Sequence, residues 1–121
     1  MQRLRFARAY LEAADFILVD DRDEFCSVAV GNAILAAIAA ADAMCCKGLG
    51  KVARGEDHRQ AAELLESSSV DGPRYKRLLL RRLDMRDAAH FGFEGFSKAD
   101  AKKAVKLARE LVTGADTVFQ R

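Results

Sequence analysis

Hydrophobic positions along the chain recur mostly at steps of three and four, the repeat of an α-helix. Leu4, Ala7, Leu11, Ala14 and Leu18 mark one face of a first helix predicted from Gln2 to about Leu18. A second helix, predicted from about Asp23 to Lys47, carries Phe25, Val28, Asn32, Leu35, Ala39, Asp42 and Cys46 on one seam. Ile34, Ile38, Ala41 and Cys45 form another seam on the same helix. A helix that is apolar on most sides belongs at the centre of a bundle, and its alanines let neighbours come close. The acidic run Asp20–Glu24 ends the first helix and puts negative charge at the N-terminus of the second.

Gly48, Gly50 and Gly55 then break the pattern, with Lys47, Lys51 and Arg54 among them. A third helix is predicted to start at the N-cap residue Asp57, with Gln60 in the capping-box position, and to end in Ser67–Ser69. Asp71-Gly72-Pro73 reads as a turn and a helix start, giving a fourth helix from about Pro73 to His90. Phe91 to Phe96 is a short aromatic and glycine loop. Ser97 and Asp100 form another capping signal. The fifth helix, to about Phe119, has the apolar stripe Ala101, Ala104, Val105, Ala108, Leu111, Val112 and Ala115, with Lys98, Lys102, Lys103 and Lys106 on the other side. The pattern therefore predicts one all-α domain over residues 1–121, an antiparallel bundle of about five helices.

Composition supports that class. A chain of 121 residues, 50% hydrophobic and 31% charged, suffices for one core and not for two ordinary domains. Abundant alanine and sparse strand-forming residues favour helix. The stretch Val28–Cys46 is nearly free of charge and about long enough to span a bilayer. It is mostly alanine, however, and includes Gly31, Asn32 and Asp42, so it reads as a central bundle helix and no membrane association is expected. The N-terminal MQRLRFARAY has no apolar signal core. Cys26, Cys45 and Cys46 fall in an apolar helix without zinc-type spacing and are expected to be buried, reduced thiols of a cytoplasmic protein. No metal or cofactor is expected. Gly48-Leu49-Gly50-Lys51 lacks the spacing, the Ser/Thr and the preceding strand of a phosphate loop.

Charge divides the chain. Residues 1–73 carry 8 basic and 12 acidic side chains, a net of −4; residues 74–121 carry 12 and 6, a net of +6. A basic half can face phosphates or an acidic partner, or can simply be a solvated helix surface. Within it, Tyr75, Leu79, Arg82, Leu83, Arg86 and His90 share an arc of roughly 100° at 100° per residue. Arg86 and His90 are one turn apart beside the apolar stripe, where polar groups must be paired or line a cleft. An arginine can neutralise a phosphate and its transition state, and a histidine can move the proton of a ribose 2′-hydroxyl, so the pair could cleave RNA without metal. The same residues could instead be a helix-end histidine on the last carbonyls and an arginine paired to a carboxylate. Asn32 and Asp42 are polar residues in an apolar helix. Asp42 needs a partner, for which Arg86, Arg82 and His58 are candidates. His58, in the first turn of the third helix, could contact an anion or be exposed.

Three segments taken together resemble the HEPN superfamily, small bacterial all-α domains often encoded beside minimal nucleotidyltransferases. They are Gly31-Asn32-Ala33-Ile34 through Ala41-Asp42-Ala43, Asp57-His58-Arg59, and Arg86-Asp87-Ala88-Ala89-His90-Phe91-Gly92. A Ser-capped helix ending Ala108-Arg109-Glu110-Leu111-Val112 follows them. The resemblance spans roughly residues 25–115. It implies a HEPN-like bundle that forms a homodimer around its last long helices. It further implies metal-independent RNA cleavage by an Arg-x(4–6)-His pair across the dimer cleft, and a nucleotidyltransferase-type antitoxin as partner. In this chain three residues separate Arg86 from His90, and Gly92 stands where some members have a modifiable tyrosine. Two expectations follow. In an RNase-like toxin, Arg86, His90 and Asp42 would be catalytic, and Arg82, His58 and Asn32 would hold RNA. In a non-catalytic module, the same cluster would bind a nucleotide, RNA or a partner protein, or only fix helix register in a dimer.

Overall fold

Alanine decides how the helices meet. The computed structural model describes the backbone of residues 2–20, 22–50, 58–68, 71–91 and 96–120, with side chains there except at 23, 58, 59 and 82–91. Five helices follow one another: α1 (Gln2–Ile17), α2 (Asp23–Leu49), α3 (His58–Glu66), α4 (Gly72–Phe91) and α5 (Lys98–Gln120). Every element among the described residues is helical, as the three- and four-residue repeat predicts. α2 touches all four of the others and packs most extensively on α1 and α5. Its buried positions are mostly methyl-sized: Ala29, Ala33, Ala36, Ala37, Ala40 and Ala41. Such side chains allow interaxial spacings near the low end of the usual ~8–10 Å. The bulk of the core comes from Leu4 on α1, Leu65 on α3, Leu79 on α4, Leu111 on α5 and Met44 on α2 itself.

Cross-helix contacts fix the directions. Arg8 pairs with Asp116, and Arg109 with Asp15 at 2.5 Å, so α1 and α5 run antiparallel with ion pairs at two levels. The Phe96 amide donates to Ser27 Oγ at 3.2 Å, and the Lys47 ammonium lies 5.8 Å from the Phe119 ring centre. α2 and α5 are therefore parallel neighbours. Lys98 does not simply face solvent: its ammonium donates to the carbonyls of Leu18 and Asp20, just beyond the C-terminus of α1.

Three of the predicted signals are seen at work, whereas α2 runs on through Gly48 to Leu49, and Asp57, the predicted cap of α3, and Gly55 lie outside the described residues. Ser97 Oγ accepts from the Asp100 amide at 3.1 Å, and the Asp100 carboxylate accepts from the Ser97 amide at 3.2 Å, a reciprocal cap on α5. The amides of Arg74 and Tyr75 donate to the Asp71 carbonyl at the start of α4. α2 ends at Gly50, whose φ of 70° is left-handed and whose amide donates to Cys46 O at 2.9 Å. Near that end Gly48 lies so close to Ser68, just past α3, that a Cβ would overlap the Ser68 carbonyl oxygen.

α2 is rotated relative to its most regular seam. Val28 and Leu35 are 46% and 45% exposed, Cys46 is exposed, and Phe25, Asn32, Ala39 and Asp42 are only half-buried. The inward side holds Cys26, Val30, Ile34, Ala41 and Cys45. Where a helix is apolar all round, periodicity does not choose its inner side; the tighter approach over alanine does. Cys46 thus departs from the expectation of three buried thiols. α2 also contains a stretch, Glu24–Leu49, that is long and apolar enough to cross a membrane by length and composition. Within it, 61% of the most apolar window is buried against the other helices, the pattern of a central bundle helix.

Candidate functional site

α4 is unbroken from Gly72 to Phe91. In its first half Tyr75, Leu78 and Leu79 are buried, whereas Arg74, Arg77 and Arg81 are exposed. Continued at 100° per residue, the arc of Tyr75 and Leu79 takes in positions 82, 86 and 90. The backbone therefore sets these three positions one turn apart along the side that faces the core upstream. The side chains of Arg82, Arg86 and His90 lie outside the described residues, as does that of His58, which opens α3.

Asp42 is described. Its side chain is 24% exposed and pairs with Arg3 on α1 at 3.9 Å, a contact that the pattern of α2 did not indicate. Asn32 is satisfied by its own helix, its Nδ2 donating to Val28 O at 3.0 Å. Ten residues of helix, about 15 Å, separate Asn32 from Asp42, so the two cannot position the same group. Asp42 also lies fifteen residues, about 22 Å, beyond Ser27, which holds the Phe96 amide five residues after the end of α4.

Two environments perturb ionisation. Burial pushes the Cys45 thiol up to about 11, reinforced by the nearby Asp42 carboxylate, so it is neutral and unreactive near pH 7. At the turn between α1 and α2, hydrogen bonds from the Arg22 side chain and amide hold the Asp20 carboxyl below its usual value. Among the described residues no cluster of three or more His, Cys, Asp or Glu side chains could hold a metal ion.

A second arrangement was missed in the sequence. An open groove of about 430 Å³ runs between α4 and α5. Its floor is Gly114, over which the Tyr75 ring lies. A Cβ at 114 would stand 2.5 Å from the ring and 2.8 Å from its hydroxyl. Tyr75 is only 6% exposed, and its hydroxyl has no hydrogen-bond partner among the described residues. Lys106, Thr113 and Thr117 on α5 form the wall. The available signal was Gly114 itself, a glycine inside an otherwise strong helix, which marks a close approach.

No family model, curated protein or solved structure matches the chain.

Proposed function

We propose that this chain is an RNA-directed, HEPN-like bundle, a cytoplasmic metal-independent RNase of the toxin type that works as a homodimer beside a nucleotidyltransferase-type antitoxin. The supporting observation is the course of α4, which stays helical to Phe91 and so carries positions 86 and 90 on the arc that faces the core upstream. Polar residues on such an arc fit a cleft better than a solvated face. In this reading Arg86 neutralises the scissile phosphate and His90 takes the proton from the ribose 2′-hydroxyl. The O2′–P bond forms, the P–O5′ bond breaks, and the proton passes to the departing 5′ oxygen, leaving a 2′,3′-cyclic phosphate. Arg82 and His58 hold flanking RNA. Asp42 pairs with Arg3 on α1.

The test is incubation of purified protein with RNA in EDTA. Cleavage to 5′-hydroxyl fragments is expected, with a loss of about 10²–10⁴-fold in His90→Ala. Intact RNA, or equal cleavage by His90→Ala, overturns the reading. One observation favours the non-catalytic alternative, a dimerisation module: Val28, Gly31 and Leu35 form an outward stripe on α2, and among the described residues nothing lies within 4 Å of where a Cβ at Gly31 would stand. A protein that dimerises through α2 but leaves RNA intact would be that module.

A further inference from the structure

We infer that the α4/α5 groove is a binding site for the phosphate group of a small, hydroxyl-bearing ligand of the sugar-phosphate class. This does not depend on the Arg86/His90 reading, because none of the groove residues belongs to that pair.

Four features define the ligand. The first is size. A groove of about 430 Å³ lies within the range of small-molecule sites, which is roughly 300–1,000 Å³. The second is the Tyr75 hydroxyl, carried on a groove-lining side chain that is more than nine-tenths buried, close against Gly114, and without a hydrogen-bond partner among the described residues. A buried phenol normally finds a hydrogen-bond partner. Here it can donate to a ligand oxygen. Gly114 makes that placement possible, since any larger residue would displace the ring.

The third feature is charge. Arg74 lies 3.9 Å from Glu110, and Arg109 is held by both oxygens of Asp15 at 2.5 Å. Lys106 has no ion-pair partner among the described residues and contributes the net positive charge. Thr113 lies seven residues further on, about 10 Å, so the lysine ammonium and the threonine and phenol hydroxyls stand at different points along the groove. An ammonium at one place and hydroxyls about 10 Å further along suit a ligand with a phosphate at one end and hydroxyls at the other. The fourth feature is the absence of a stacking surface. With Tyr75 6% exposed, the groove offers hydroxyl groups but no open aromatic face. Thr117 Oγ1 spends its proton on Thr113 O at 3.0 Å and so presents acceptor lone pairs, matched to ligand hydroxyls and not to a base.

The test is a backbone amide NMR titration of the full chain with ribose 5-phosphate, inorganic phosphate, ribose and AMP. Ribose 5-phosphate is expected to give saturable shifts centred on residues 74–75 and 106–117. Inorganic phosphate should move the same amides more weakly, ribose none, and AMP no more strongly than the sugar phosphate. Lys106→Gln, an exposed change, should weaken binding at least tenfold. Tyr75→Phe, which keeps the ring, should weaken it several-fold. Glu110→Gln, which removes the opposing charge, should tighten it. Failure of ribose 5-phosphate to saturate by about 10 mM overturns the inference, as does binding unchanged in Lys106→Gln. Clearly tighter binding of AMP overturns the ligand class. RNA cleavage by the same sample is a separate readout, so either idea can fail alone.

Discussion

One substitution made twice in one helix should give opposite results. Gly31 and Gly48 both lie in α2, and both are changed to alanine. At Gly31 an added Cβ meets nothing within 4 Å among the described residues, so only backbone propensity changes. Alanine in a helix interior is favoured over glycine by about 0.8–1 kcal/mol. For a chain of this length that raises Tm by about 4 °C. At Gly48 the Cβ would overlap the Ser68 carbonyl oxygen and stand 3.1 Å from the carbonyl carbon. Both are backbone atoms, so no side chain can turn aside. Either α2 and the end of α3 separate, or α2 loosens its last turn. Overpacking of this kind costs about 1–3 kcal/mol. The propensity gain so near the helix end is smaller than at Gly31, leaving a net loss of about 1–2 kcal/mol. The two variants should thus differ by about 2–3 kcal/mol, measured as thermal and urea midpoints by circular dichroism. A Gly48→Ala protein as stable as the parent refutes the α2–α3 contact. A destabilised Gly31→Ala protein refutes the open surface at α2 and points to something packed against it.

Thiol chemistry should separate the cysteines: a disulfide reagent at pH 8 is expected to label Cys46 rapidly, and Cys46→Ser should abolish that fast phase, whereas buried Cys45 reacts only on unfolding. The raised Cys45 value also sets a pH dependence. The unfolded thiol ionises near 9.0 and the folded one near about 11, so this contribution to stability is intact below pH 9 and is lost as pH rises toward 11. Denaturant midpoints of the parent and of Cys45→Ala across that range would show it; parallel curves would refute the burial argument. Ser97→Ala removes the acceptor for the Asp100 amide and should cost about 1 kcal/mol by urea denaturation, with an unchanged midpoint counting against the cap.

Helix existence and most boundaries were legible because the signals are local. The stripes Leu4/Ala7/Leu11/Ala14 and Ala101/Ala104/Val105/Ala108/Leu111/Val112/Ala115 are the buried faces that periodicity marks, and Ser97/Asp100 bond as their spacing suggests. The orientation of α2 was not legible. Its amphipathic contrast is too weak to choose a side, and the choice falls to how closely α1 and α5 can approach, a non-local property. The Arg3 contact of Asp42 was hidden for the same reason, since Arg3 comes from another helix, 39 residues earlier in the sequence. The groove escaped because Lys106, Thr113 and Thr117 look like ordinary solvated positions until Tyr75 is seen lying on Gly114. The spacing of Arg86 and His90 was readable as far as shared register on α4, and register follows from the backbone alone.

The methyl-lined inner side of α2 also restricts how this protein can change. Enlarging Ala33, Ala36, Ala37 or Ala40 cannot be answered by repacking one neighbour, because α1 and α5 both bear on that helix. Compensation would need coordinated shrinkage in two other places at once. Heritable variation should therefore collect on the outer surfaces, while the central rod keeps its smallest residues.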